Sequence, residues 1–234
     1  SGAVTIDSGA VCRSLNCTGY TATLSHNATL TIGDGTAGLS NVALLLVSGM
    51  TYSLSGNGSQ FQYVSTSGTV QTINTGGKTL GSSTYNGSGA SWRFDDAHNA
   101  RLDSNSELLW HNGSMNFNGQ TVTLGTWTSY TGNARTLTLG GSAITVDRVN
   151  ISGTNITFNA NTSSVTVVST GNHYFNGGGY TWNNVSLTGS GAQEISDGPN
   201  TFNNLTRTGT AVKTDSFLLY ANQTVNGTFT VNGN

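Results

Sequence analysis

Apolar and hydroxyl residues alternate along much of this chain. Thr29-Leu30-Thr31-Ile32, Thr121-Val122-Thr123-Leu124, Thr136-Leu137-Thr138-Leu139 and Thr228-Phe229-Thr230-Val231 each place an apolar side chain at every second position, with threonine between. A period of two puts the apolar set on one face of an extended chain, and β-branched threonine suits the other face, so each run predicts a half-buried strand. Gly, Asn and Ser punctuate the runs, as at Gly33-Asp34-Gly35, Asn57-Gly58, Asn86-Gly87, Asn112-Gly113, Asn118-Gly119 and Asn226-Gly227. Asn and Gly tolerate positive φ, so these dipeptides predict turns. Only Asp103 to Leu109 has a helical flavour, and it is too short and too Ser-rich to carry a helix. The pattern predicts an all-β chain.

The pattern also repeats. Val47 to Ser67 aligns without gaps onto Ile151 to Gly171 at an offset of 104, and Gly76 to Ala90 aligns onto Gly178 to Ala192 at an offset of 102. Thr29 to Gly33 matches Thr136 to Gly140 at 107, and Trp182 to Gly189 is echoed 20 residues later by Phe202 to Gly209. Two architectures fit an internal duplication of about 104 residues. One is a pair of immunoglobulin-like sandwiches, but the Cys…Trp…Cys framework and tyrosine corner of that fold are missing. The other, favoured here, is a β-solenoid resembling a parallel β-helix, in which the 20-residue echo is one coil of the stack. On that reading residues 1–28 form an N-terminal edge segment, 29–135 a first unit and 136–234 a second, or the whole of 1–234 is one continuous solenoid.

Composition narrows the function. Gly 32, Thr 37, Ser 28 and Asn 27 together exceed half of 234 residues, whereas charged residues are 8% against about 25% in an ordinary globular domain. The scarcity of Glu, Lys, Arg and Gln argues against a helical enzyme. A net charge of −2 without a basic cluster argues against nucleic acid as a partner. No apolar run approaches the length of a membrane-spanning helix, so membrane insertion is not expected. Both ends, Ser1-Gly2-Ala3 and Val231-Asn232-Gly233-Asn234, read as interruptions of a continuing pattern, as in a piece of a longer protein.

Candidate chemistry is sparse. Phe94-Asp95-Asp96-Ala97-His98-Asn99 is the one dense ionisable cluster. Two carboxylates and an imidazole suit a metal or acid–base cleavage of a polysaccharide. A polar turn, with Asp and Asn capping backbone groups, is the favoured alternative. Gly33-Asp34-Gly35 resembles a calcium-binding turn but does not recur in tandem. No cofactor, metal or catalytic residue is expected. Cys12 and Cys17 are candidates for a small disulfide loop, against the favoured reading of two buried thiols. Among Trp92, Trp110, Trp127 and Trp182, the stretch Trp110-His111 and Trp127 lie outside the repeated segments and are the candidate glycan contacts, although core placement is commoner for such rings. Twelve Asn-x-Ser/Thr sequons, at Asn16, Asn27, Asn57, Asn86, Asn112, Asn150, Asn155, Asn161, Asn184, Asn204, Asn222 and Asn226, are candidate glycosylation sites.

Several phrases carry a resemblance: Cys12-Arg-Ser-Leu-Asn-Cys-Thr-Gly-Tyr-Thr21, Thr29-Leu-Thr-Ile-Gly-Asp-Gly-Thr36, Asn200-Thr-Phe-Asn-Asn-Leu-Thr206 and Ala221-Asn-Gln-Thr-Val-Asn-Gly-Thr-Phe-Thr-Val231. They resemble the Gly/Thr/Asn-rich β-solenoid regions of tailed-bacteriophage virion proteins, and also secreted bacterial adhesins. The resemblance is structural and brings no active-site motif. It implies an elongated protein of a virion, the extracellular space or a cell surface. The leading expectation is therefore a non-catalytic fibre or decoration component of a bacteriophage particle, a homo-oligomer or a partner of other subunits, with cell-surface glycans as ligands. A secreted, glycosylated adhesin or filament subunit is the alternative, ahead of a polysaccharide depolymerase and an ice-binding solenoid.

Overall fold

A computed structural model describes residues 2–33, 41–55, 59–171, 173–210 and 215–233. Every strand pairing among them is parallel, and no described residue is helical. The strands wind into a three-faced β-solenoid of about ten coils. The second face is the clearest. Its ladder runs through Ala10–Cys12, Leu30–Ile32, Gln60–Tyr63, 82–85, 107–109, 126–129 and 148–151, then through His173–Asn176, Ala192–Ser196 and Ser216–Leu219. This ladder crosses the expected boundaries at 28/29 and 135/136 without interruption.

The first face begins as a separate sheet of Val4–Ile6, Thr23–His26 and Thr51–Leu54. It continues from Thr79–Leu80 through His98–Ala100 to Phe229–Asn232. The third face runs from Leu15–Asn16 through Val42–Leu45 and Val70–Asn74 to Ile156–Asn159. Phe158 then packs on Trp182, with ring centroids 4.5 Å apart, and a short ladder through Thr181, Thr201 and Thr224 completes that side.

Alternation explains the core. Inward positions of each strand carry the apolar side chains, and stacked coils bring them into contact along the axis. Tyr63 and Tyr85 stack at 4.6 Å, Phe94 and Phe117 at 5.0 Å, and Phe117 meets Trp127 at 5.4 Å. All four tryptophans are fully buried. Outward positions carry Thr, Ser and Asn, and asparagines on successive coils bond to one another. Asn176 donates to Asn150 at 3.0 Å, Asn203 to Asn183 at 3.3 Å and Asn204 to Asn184 at 2.8 Å.

The 20-residue echo is one coil: Trp182 pairs with Phe202, Asn184 with Asn204 and Val185 with Leu205. The longer match does not carry one face onto itself. Thr79-Leu80 lies on the first face, whereas its match Thr181-Trp182 lies on the third. Gln60–Tyr63 lies on the second face, whereas its match Ser164–Val167 lies on the first. The matched segments share a strand-and-corner grammar, and the coil is the unit that stacks.

Candidate functional site

The Phe94–Asn99 cluster disperses. Asp95 pairs with Arg93 at 2.6 Å on the surface. Asp96 accepts the Thr75 amide at 2.8 Å, the Thr75 hydroxyl at 3.1 Å and the Gly76 amide at 2.8 Å, so it ties down a turn of the preceding coil. His98 turns inward and stacks on Phe94 at 4.1 Å with the rings 3° apart. Burial without a charge partner pushes its pKa down to about 3. Among the described residues no three His, Cys, Asp or Glu side chains gather to hold a metal ion. Asp34 and Gly35 lie outside the described residues.

Two of the expected glycan contacts are corrected. Trp110 and Trp127 are both 0% exposed. Each occupies an inward position of its strand, where the Arg135 guanidinium lies 5.2 Å over the Trp110 ring and Trp127 meets Phe117 and Trp182. Neither ring can reach a sugar. His111 is half-buried and meets the edge of Tyr130 at 5.4 Å, and it is Tyr130 that is 57% exposed. The candidate disulfide is corrected too: Cys12 and Cys17 are thiols. Cys12 ends a second-face strand, while Cys17 follows a third-face strand and bonds through its amide to Leu45. Burial pushes the Cys17 thiol pKa up.

The sequons sort by depth. Asn16, Asn86, Asn155, Asn161, Asn222 and Asn226 are exposed, and Asn27, Asn112, Asn150, Asn184 and Asn204 are half-buried. Asn150, Asn184 and Asn204 already belong to side-chain ladders. Asn57 lies outside the described residues.

The site that emerges is a polar groove of about 390 Å³ on the outer side of the second face. Strand register arranges its side chains in two rows along the solenoid axis. One row steps coil by coil through Gln60, Ser82, Glu107, Thr126, Arg148 and Tyr174. The other holds Thr84, Leu109, Thr128 and Asn150. Tyr130 stands on the rim just beyond the strand Thr121–Ser129. The Gln60 amide donates to the Thr84 hydroxyl at 2.9 Å, and the Arg148 guanidinium lies 5.3 Å from the centre of the Tyr174 ring. Thr128, in the floor, is 3% exposed and its hydroxyl has no hydrogen-bond partner.

The groove offers hydroxyls, amides and one cation beside one carboxylate, Glu107. Glu194 continues the same row, one coil beyond Tyr174 and four beyond Glu107, roughly 19 Å away at about 4.8 Å per strand step. Paired carboxylates in glycoside cleavage stand about 5–9.5 Å apart, so Glu107 and Glu194 are too far apart to form such a pair. Sequence reasoning missed the groove because its members come from consecutive coils and no local motif joins them. Comparison of the chain with protein-family models, with curated proteins and with solved structures gives no match.

Proposed function

We propose that this chain is a non-catalytic structural and adhesive element of an extracellular assembly, and that the assembly is a bacteriophage particle in which the solenoid forms part of a fibre or a decoration. The observation that carries the reading is the uninterrupted ten-strand ladder of the second face. Each coil adds about 4.8 Å to that ladder, so ten coils reach roughly 45 Å with one shared core. Two carboxylates serve the frame. Asp96 holds a turn, and Asp215 accepts the Thr210 hydroxyl and amide and the Gly191 amide, which keep its pKa down at about 2. Immunogold labelling of purified particles, filaments or cell envelopes is the expected outcome. Label confined to the cytoplasm of intact cells, with none in those fractions, would overturn the proposal.

A second reading, a secreted glycosylated adhesin, draws on the exposed sequons, of which Asn155 and Asn161 sit at positive-φ turns. It expects enzymatic deglycosylation to lower the mass of the secreted chain at those asparagines and not at the laddered Asn184 and Asn204.

A further inference from the structure

We propose that the second-face groove binds a neutral, extended oligosaccharide lying along the solenoid axis, with Tyr130 as its stacking platform. The inference rests on the adhesive reading above and names the ligand class for that role.

The polar rows repeat at the strand spacing of about 4.8 Å, close to the length of one sugar unit in an extended chain. From Gln60 to Tyr174 the first row makes five steps, roughly 24 Å, enough for about four to five units. Each step presents a hydroxyl, amide or charged group that can donate to or accept from sugar hydroxyls. Leu109 supplies an apolar strip in the floor, and Tyr130 offers an exposed ring for the apolar face of a pyranose. The unpartnered Thr128 hydroxyl adds a polar group in the floor.

Charge selects among ligand classes. Glu107 and Arg148 lie two steps apart in one row and oppose each other in sign, so the groove favours neither a polyanion nor a polycation. A nucleic acid needs a basic track along its phosphates, and Arg148 is the only cation in the lining. A peptide added as a β-strand needs an open sheet edge, whereas these strands are paired on both sides. A neutral glycan meets the remaining requirements, with modest affinity at one site and more through multivalent display.

The test is an array of immobilised neutral and anionic oligosaccharides, followed by NMR titration of the intact chain with the best neutral pentasaccharide. Saturable binding is expected, with amide shifts concentrated at 107–109, 126–130 and 148–150. Tyr130→Ala should weaken it at least tenfold, while Tyr220→Ala, an exposed ring outside the groove, should leave it unchanged. Circular dichroism would verify that both variants fold. No neutral ligand on the array, a preference for anionic glycans, or full binding by Tyr130→Ala would overturn the proposal. A chain found on particles that binds no neutral glycan refutes the groove alone. A glycan-binding chain found only in the cytoplasm refutes the assembly reading alone.

Discussion

At the scale of single residues, buried ionisable groups make the fold sensitive to acid. His98 is 1% exposed, its Nδ1 has no partner, and its pKa is held at about 3 against the ordinary 6.5. The folded protein therefore keeps the imidazole neutral in a range where the unfolded chain protonates it. Stability is complete above about pH 6.5 and falls as the pH drops toward 3, with a limiting slope of about 1.4 kcal/mol per pH unit from this group. His26, desolvated beside the Tyr52 hydroxyl at 2.6 Å, shifts the same way. His98→Phe keeps the stack on Phe94 without the titration, so its loss of melting temperature between pH 7 and pH 4 should be smaller than that of the parent. An identical loss in both would show that His98 does not govern acid stability. The same residue exposes a limit of reading from sequence: beside Asp95 and Asp96 it looks like chemistry, and only its inward position makes it core. Trp110 misleads for a related reason. In Leu108-Leu109-Trp110 apolar side chains occupy both parities, so the alternation does not say which of them faces inward.

At the scale of elements, the corners decide whether coils can stack. The sequence predicts a turn at Asn86-Gly87, but the dipeptide lies inside the long strand Ser82–Phe94, which bends there from the second face to the third with register shifts on either side. A Cβ at Gly87 would come within 1.8 Å of the Ser65 carbonyl oxygen in the coil before it. Gly77, at φ +75°, has nothing within 4 Å of its Cβ position. Gly87→Ala should cost about 2–3 kcal/mol by forcing two coils apart, and Gly77→Ala about 1 kcal/mol from backbone conformation alone. Urea melts of the two variants measure the difference, and equal losses would refute this account of the corner. Strands such as Leu30–Ile32 and Arg135–Thr138, with their buried faces, were legible from period two, and the spacing of one coil pair from the 20-residue echo. The groove was not legible, because the step from one coil to the next varies. It is 31 residues from Thr31 to Gln62 but 19 from Leu109 to Thr128. Without a fixed period, a row of outward side chains leaves no regular trace along the chain.

At the scale of the whole molecule, a stack in which each coil touches only its neighbours should not be uniformly stable. Stability in such a chain is close to a sum of coil and interface contributions, and a coil packed on one side lacks half of its interface. The described coils differ in that way. Those between Phe61 and Phe202 enclose the large buried rings, most of which meet another ring. Among the described residues the last strands, Ser216–Leu219, Thr224–Val225 and Phe229–Asn232, pair only with the strands before them, and none of their side chains is fully buried. Local opening there breaks one ladder and uncovers little apolar surface that was not already in water, whereas opening at Trp127 breaks ladders on both sides and exposes a buried indole. Native-state hydrogen exchange should therefore show protection highest for the amides of 122–128 and 144–151, falling stepwise toward 229–232, with the last coil exchanging in minutes while the centre persists for hours or longer. Uniform protection along the isolated chain would mean that the solenoid opens as one cooperative unit, and the coil-by-coil account of its stability would be wrong.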